Sequence, residues 1–173
     1  MLTNKNAALP EALRRDGFFL RDGTLCRGDH PYTGTELIVP SGVTGIESGC
    51  FCGSPVLRSV TLPETLTELG ASAFEDCPAL ETIRIPYGIT RLRKKTFSGC
   101  RSLRCAELPP SVTSIGEWAF RSCTALKQVR IPDTVTEICA EVFLSCPEVT
   151  VQATEGSFAA AYARKFGLQL EER

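Results

Sequence analysis

The chain has 173 residues, 43% hydrophobic and 23% charged, with a formal net charge of −1 and a pI of about 5.9. That balance gives no global pull toward nucleic acid or anionic membrane, and no apolar run approaches the ~20 residues of a membrane-spanning helix. Nine cysteines, an odd number, argue against a complete disulfide framework and for a reducing compartment.

The opening residues show no basic segment followed by an apolar one. The expectation is therefore a cytoplasmic protein as written, or a surface or secreted one if a leader has been removed. Pro10-Glu-Ala-Leu-Arg-Arg15 is expected to make one or two helical turns, with Pro in the first turn where its missing N–H costs nothing. Gly17–Cys26 reads as a β-hairpin, because Asp22-Gly23 supplies the positive φ angles of a tight turn between apolar flanks. Residues 1–39 are expected to form an N-terminal segment and hairpin cap over the first repeat.

From residue 40 to 151 the chain rewrites one unit five times. Phe recurs at 51, 74, 97, 120 and 143, and Pro at 40, 63, 86, 109 and 132, every gap being 23 residues. The column Ile46, Leu69, Leu92, Ile115, Ile138 keeps the same phase. So does Leu57, Leu80, Leu103, Leu126, Val149. A fixed period of this length with Leu/Ile columns marks a solenoid whose units bury their apolar faces only by stacking. Ile83-Arg-Ile85 alternates like a half-buried strand. Leu66–Leu69 is a second extended piece. Phe74, Cys77 and Leu80, spaced by three, suit a 3₁₀-like or single α-turn. Each Pro ends a strand, since it cannot donate in mid-ladder and drives the residue before it into the β region. Five coils stacked ~4.8 Å apart make a rod about 25 Å long.

The pattern breaks after Val151. Residue 152 is expected to be apolar by analogy with Val129, and it is Gln. Ser157–Gly167 reads as a helix with Ser157 as N-cap and Arg164, Lys165 and Gly167 as its stop signal. Leu168–Leu170 is expected to add a last strand. Residues 152–173 are then a C-terminal helical cap.

Copies such as Leu108-Pro-Pro-Ser-Val-Thr-Ser-Ile-Gly-Glu-Trp-Ala-Phe-Arg-Ser-Cys-Thr-Ala-Leu-Lys-Gln-Val129 resemble the BspA-type leucine-rich repeat. Phe18–Leu25 looks like that family's N-terminal hairpin, and Gly156–Gly167 like its closing helix. The resemblance implies an α/β repeat solenoid with a parallel sheet on the concave face, and short turns and extended segments elsewhere. It also implies a role in binding proteins or surfaces. The family is common in gut and oral bacteria and some protists, often as secreted or cell-surface adhesins.

The tempting chemistry is weighed against that scaffold. Cys77, Cys100, Cys123 and Cys146 keep the repeat spacing. Zinc needs ligands converging on one point, and one thiol per coil cannot converge. The column is expected to be a buried ladder of weak S–H donors facing turn carbonyls, with no metal site. His30, the only histidine, lies in a polar stretch beside Pro31, so no Cys–His or Ser–His nucleophile is assigned and the chain is read as no enzyme, needing no cofactor. A Cys-dependent enzyme is the remote alternative. The Thr column at 44, 67, 90, 113 and 136 reads as a hydroxyl ladder.

The variable positions beside the main strand are the candidate partner-binding face. They are Arg58, Ser59 and Thr61, Glu81, Thr82 and Arg84, Arg104, Cys105 and Glu107, and Lys127, Gln128 and Arg130. Five are basic and two acidic, which suits an acidic protein or surface-glycan partner. Arg91, Arg93, Lys94 and Lys95 form a second basic cluster elsewhere. Nucleic acid would need an aromatic stacking group beside it. The nearest in sequence, Phe97, belongs to the core column, so no nucleic-acid partner is assigned. Oligomeric state is left open.

Overall fold

The computed structural model describes residues 9–173. Helix α1 (Glu11–Arg15) leads into the antiparallel hairpin β1 (Phe19–Arg21) and β2 (Thr24–Cys26). Asp22 (φ 48°) and Gly23 (φ 81°) make its turn. The chain then winds through about six turns of a parallel-sheet solenoid. The concave side is built from β3 (Glu36–Ile38), β5 (Ser59–Thr61), β7 (Thr82–Ile83), β9 (Cys105–Glu107), β11 (Gln128–Arg130) and β13 (Thr150–Ala153). The convex side is built from β4 (Gly45–Ile46), β6 (Glu68–Leu69), β8 (Arg91–Leu92), β10 (Ser114–Ile115) and β12 (Glu137–Ile138). Parallel partners lie one repeat apart, as Ser59 with Thr82 and Cys105 with Gln128.

The recurring side chains line one interior. Phe51, Phe74, Phe97 and Phe120 are fully buried. From Phe51 to Phe143 the rings stack at centroid distances of 5.4, 5.8, 5.5 and 5.7 Å. Between the two strands of each unit, single i→i+3 bonds form, such as Leu80 N–H to Cys77 O at 3.1 Å. They do not propagate into a helix. Ser72, Lys95, Trp118 and Glu141 have φ of 56°, 60°, 60° and 61°, and Asp76, Ser122 and Ser145 are left-handed too. Each such residue reverses the local winding.

The C-terminal expectation for residue 152 needs correcting. Val129 pairs with Val151, and Arg130 with Gln152. The last turn is one residue shorter than the others, so Val151 fills the core position and Gln152 faces the sheet exterior. It is covered there by β14 (Gln169–Glu172), which pairs parallel to β13. Gln152 Nε2 donates to Glu171 Oε2 at 2.6 Å, and Arg173 donates to Gln152 Oε1. Between them α2 (Phe158–Lys165) is capped by Ser157, whose side chain accepts from Ala160 N–H at 3.2 Å.

Both ladders are interrupted at the same step. The concave strands form one set from β3 to β7 and another from β9 to β14, and the convex strands divide between β6 and β8. At neighbouring steps Lys127 N–H donates to Arg104 O (2.9 Å), Thr113 N–H to Thr90 O (2.8 Å) and Gly116 N–H to Leu92 O (2.7 Å). Among the described residues, the counterparts Arg104 to Glu81, Thr90 to Thr67 and Arg93 to Leu69 do not form. Ser111 and Thr134 each donate a hydroxyl to the turn before them, at 2.8 and 2.9 Å. Gly88 holds that position at the seam and has no hydroxyl. The two halves stay joined along the turn side, through Phe74 N–H to Thr96 O (3.0 Å), Asp76 N–H to Ser98 O (2.7 Å) and the Phe74–Phe97 stack.

Candidate functional site

Alternation along each concave strand decides what faces the solvent. Val60, Ala106 and Val129 point inward and are buried, while Thr61, Thr82, Arg84, Cys105, Glu107, Gln128 and Arg130 are exposed. Arg58, Arg104 and Lys127 form the neighbouring exposed row. The fold therefore gathers the sequence candidates onto one surface.

The expected basic character of that surface is largely cancelled. Arg58 meets Glu81 at 3.5 Å, Arg84 meets Glu64 at 3.1 Å, Lys127 meets Glu148 at 3.8 Å and Arg130 meets Glu107 at 2.8 Å. Glu64 and Glu148 lie outside the strand pattern, and their turns carry them back to the rim. Arg104 is the one cation of the five with no ion-pair partner among the described residues. It stands beside the exposed thiol of Cys105.

Sequence reasoning missed the most exposed aromatic beside this face. Tyr87 follows Pro86 at the corner where β7's turn ends and is 61% exposed. It separates two adjoining depressions. One, of about 400 Å³, is bounded by Thr82, Arg84, Cys105, Glu107 and Pro110. The other, of about 630 Å³, reaches Arg130, Asp133, Gln152 and Arg173. Other turns carry Ser41, Glu64, Pro110 and Asp133 at this phase. Tyr87 is the aromatic in a column that otherwise has none, and that was the available signal.

The Cys column is a ladder of donors. The thiols of Cys77, Cys100, Cys123 and Cys146 reach the carbonyls of Phe51, Phe74, Phe97 and Phe120 at 3.2, 3.2, 3.1 and 2.9 Å. Burial pushes the Cys77 thiol up to about 12 and raises Cys100 well above its ordinary range. Six of the nine thiols are buried, so the cysteine count is no longer an argument for a reducing compartment. The threonines behave likewise, Thr67 and Thr113 each donating a hydroxyl one turn back at 3.2 Å. His30 is exposed.

The basic cluster does have an aromatic beside it, and it is Trp118 rather than the buried Phe97. Lys94 Nζ, Arg121 Cζ and Lys95 Nζ lie 4.5, 5.1 and 5.7 Å from its ring centroid. Acids balance them. Lys94 pairs with Glu117 (2.7 Å), Lys95 with Glu75 (2.8 Å), and the indole N–H donates to Glu141 (2.8 Å). The arrangement bridges turns and leaves little net charge for a polyanion.

Residues 32–150 match the model described as "BspA type Leucine rich repeat region", in six copies. The chain belongs to the BspA-type leucine-rich repeat family. Among solved structures, this BspA-type chain is similar to a leucine-rich cell surface protein from Faecalibacterium prausnitzii, with 32% identity and a TM-score of 0.73 over 79% of this chain. It is also similar to the T. pallidum leucine-rich repeat protein TpLRR (28%, TM-score 0.74, 83% of this chain) and to a leucine-rich repeat protein from Bacteroides ovatus (28%, 0.71, 84%). It spans 36%, 70% and 41% of those chains respectively. No curated protein matches the sequence.

Proposed function

We propose that this BspA-type solenoid is a non-catalytic module that binds a protein partner through its concave face. One contrast carries the reading. The inward positions of the strands are uniformly apolar, whereas the outward ones vary in chemistry from turn to turn: Thr82, Cys105 and Gln128 in one row, Arg84, Glu107 and Arg130 in the next. A rigid ladder presenting a varied, exposed row is how repeat folds make extended recognition surfaces. The residues of this face are Arg58, Thr61, Thr82, Arg84, Arg104, Glu107, Lys127, Gln128 and Arg130. Arg104, exposed and without an acid, is placed at its centre.

A surface or secreted setting is the second part of the reading. The F. prausnitzii relative is described as a cell surface protein, and an adhesive role there is consistent with the family. No helix among the described residues is long and apolar enough to cross a membrane.

The test attaches a benzophenone to Cys105, with Cys52 and Cys139 changed to Ser, and photocrosslinks the chain to proteins of its source organism and that organism's surroundings. A discrete adduct that disappears in the double variant Arg104→Glu, Lys127→Glu supports the face. The absence of any discrete adduct counts against the face, and one that persists unchanged in that variant shows that Arg104 and Lys127 do not hold the partner.

A further inference from the structure

We propose that the groove around Tyr87 takes an extended, uncharged peptide segment of the partner, lying across the seam between β7 and β9. This rests on the concave face being the binding surface. Four observations carry it.

First, the backbone is open there. At the next step Leu108 N–H and Arg130 O close a 3.1 Å bond, while among the described residues no such bond joins the Ile85 N–H to Glu107 O at the seam, both residues lining the smaller depression. Backbone groups left without a partner are what an incoming main chain can bond to. Second, the strands part. Ile83 is only half-buried where Val60 and Val129 are buried, and with the small Cys105 it lines the depression of about 400 Å³.

Third, the apolar contact is ready-made. Tyr87 is 61% exposed, its hydroxyl has no protein partner among the described residues, and Pro110 borders both depressions. A Tyr ring offers a large contact area for little conformational entropy. Fourth, the charges are committed. Arg84 is held by Glu64 and Arg130 by Glu107, at 3.1 and 2.8 Å. These two pairs hold both charged residues that line the smaller depression, so a charged peptide side chain there would have to break one of them. The groove runs from the turn of β7 to that of β13, three steps of ~4.8 Å, which an extended peptide covers with four or five residues at ~3.3 Å each.

The probe is a phage-displayed library of linear seven-residue peptides, panned against the folded chain. Enriched peptides are expected to be uncharged over four or five consecutive positions. They should lose at least tenfold in affinity on Tyr87→Ala and on Pro110→Glu, and keep it on Trp118→Ala. In hydrogen exchange the Ile85 amide is expected to exchange at least tenfold faster than that of Leu108, and to slow when an enriched peptide is bound. Failure to enrich over an unrelated protein, or equal binding to both groove variants, overturns the groove. Peptides lost only on Arg104→Glu with Lys127→Glu leave the concave-face reading standing without it. Peptides insensitive to every one of these changes overturn both.

Discussion

The thiol of Cys123 donates to the carbonyl oxygen of Phe97, one turn back and 3.1 Å away. The same reach from Cys77 and Cys100 puts protonated sulfur in the fully buried interior. In the folded chain these thiols hold their protons well above the value of 9.0 at which they ionise when exposed. The unfolded chain therefore sheds protons first as pH rises. Stability is expected to be fully present below pH 9 and to fall from there, by about 1.4 kcal/mol per pH unit for each such thiol, until its folded value is reached. Urea midpoints from pH 8 to 10.5 measure this. Cys100→Ala should make the alkaline slope shallower, and an unchanged slope would show that this thiol does not contribute.

The ring of Phe97 lies between those of Phe74 and Phe120, at 5.8 and 5.5 Å. Phe97→Ala opens a cavity that neighbours on a continuous stack cannot collapse into. The expected loss is ~3–5 kcal/mol in urea melts. A loss under about 1 kcal/mol would mean the stack repacks freely, contrary to the usual rigidity of protein interiors.

Gly88 is the seam's backbone contact. A Cβ there would overlap the carbonyl oxygen of Leu66. Gly88→Ser restores the hydroxyl found at Thr65, Ser111 and Thr134, yet must push two turns apart. We expect destabilisation of about 1–3 kcal/mol, as for other overpacked sites, with no loss of helical signal. A rise in Tm would show instead that the turns shift to accept the hydroxyl bond.

Gln152 is only 6% exposed and is held by Glu171 and Arg173. Deleting Arg173 leaves its side-chain carbonyl short of a donor, at a cost of about 1–3 kcal/mol. Thermal melts of the 172-residue chain test this. The companion change Gln152→Val, made in that shortened chain, should recover part of the loss.

The repeat was legible because its physics is local. Proline ends a strand wherever it stands, and a 23-residue period puts the same side chain inward each time. The Phe, Cys and Thr columns, the Asp22-Gly23 hairpin and the Ser157-capped helix were all readable on those grounds. The phase at Gln152 was not, because Val149 and Val151 are both apolar and only pairing to Arg130 reveals the missing residue. The acids that quench the concave cations were hidden for a related reason. Glu64 and Glu148 belong to corners whose return path sequence spacing does not give. Trp118 sits among Lys94, Lys95 and Arg121 because turns lie side by side, a neighbourhood 23 residues away in sequence. The seam left faint marks, a Gly at 88 between Thr65 and Ser111, as at 42, and an Ala at 106 in a column of Leu, Val and Ile.

The shortened last turn bears on how such a chain changes length. Duplicating or deleting one 23-residue unit between Pro63 and Pro132 keeps every ladder in phase, so both ends still dock and the rod grows or shrinks by one step. The same event beyond Val151 would meet a strand shifted by one residue and a terminus already fastened to it. Copy number is free to drift in the middle of this molecule and is locked at its tail.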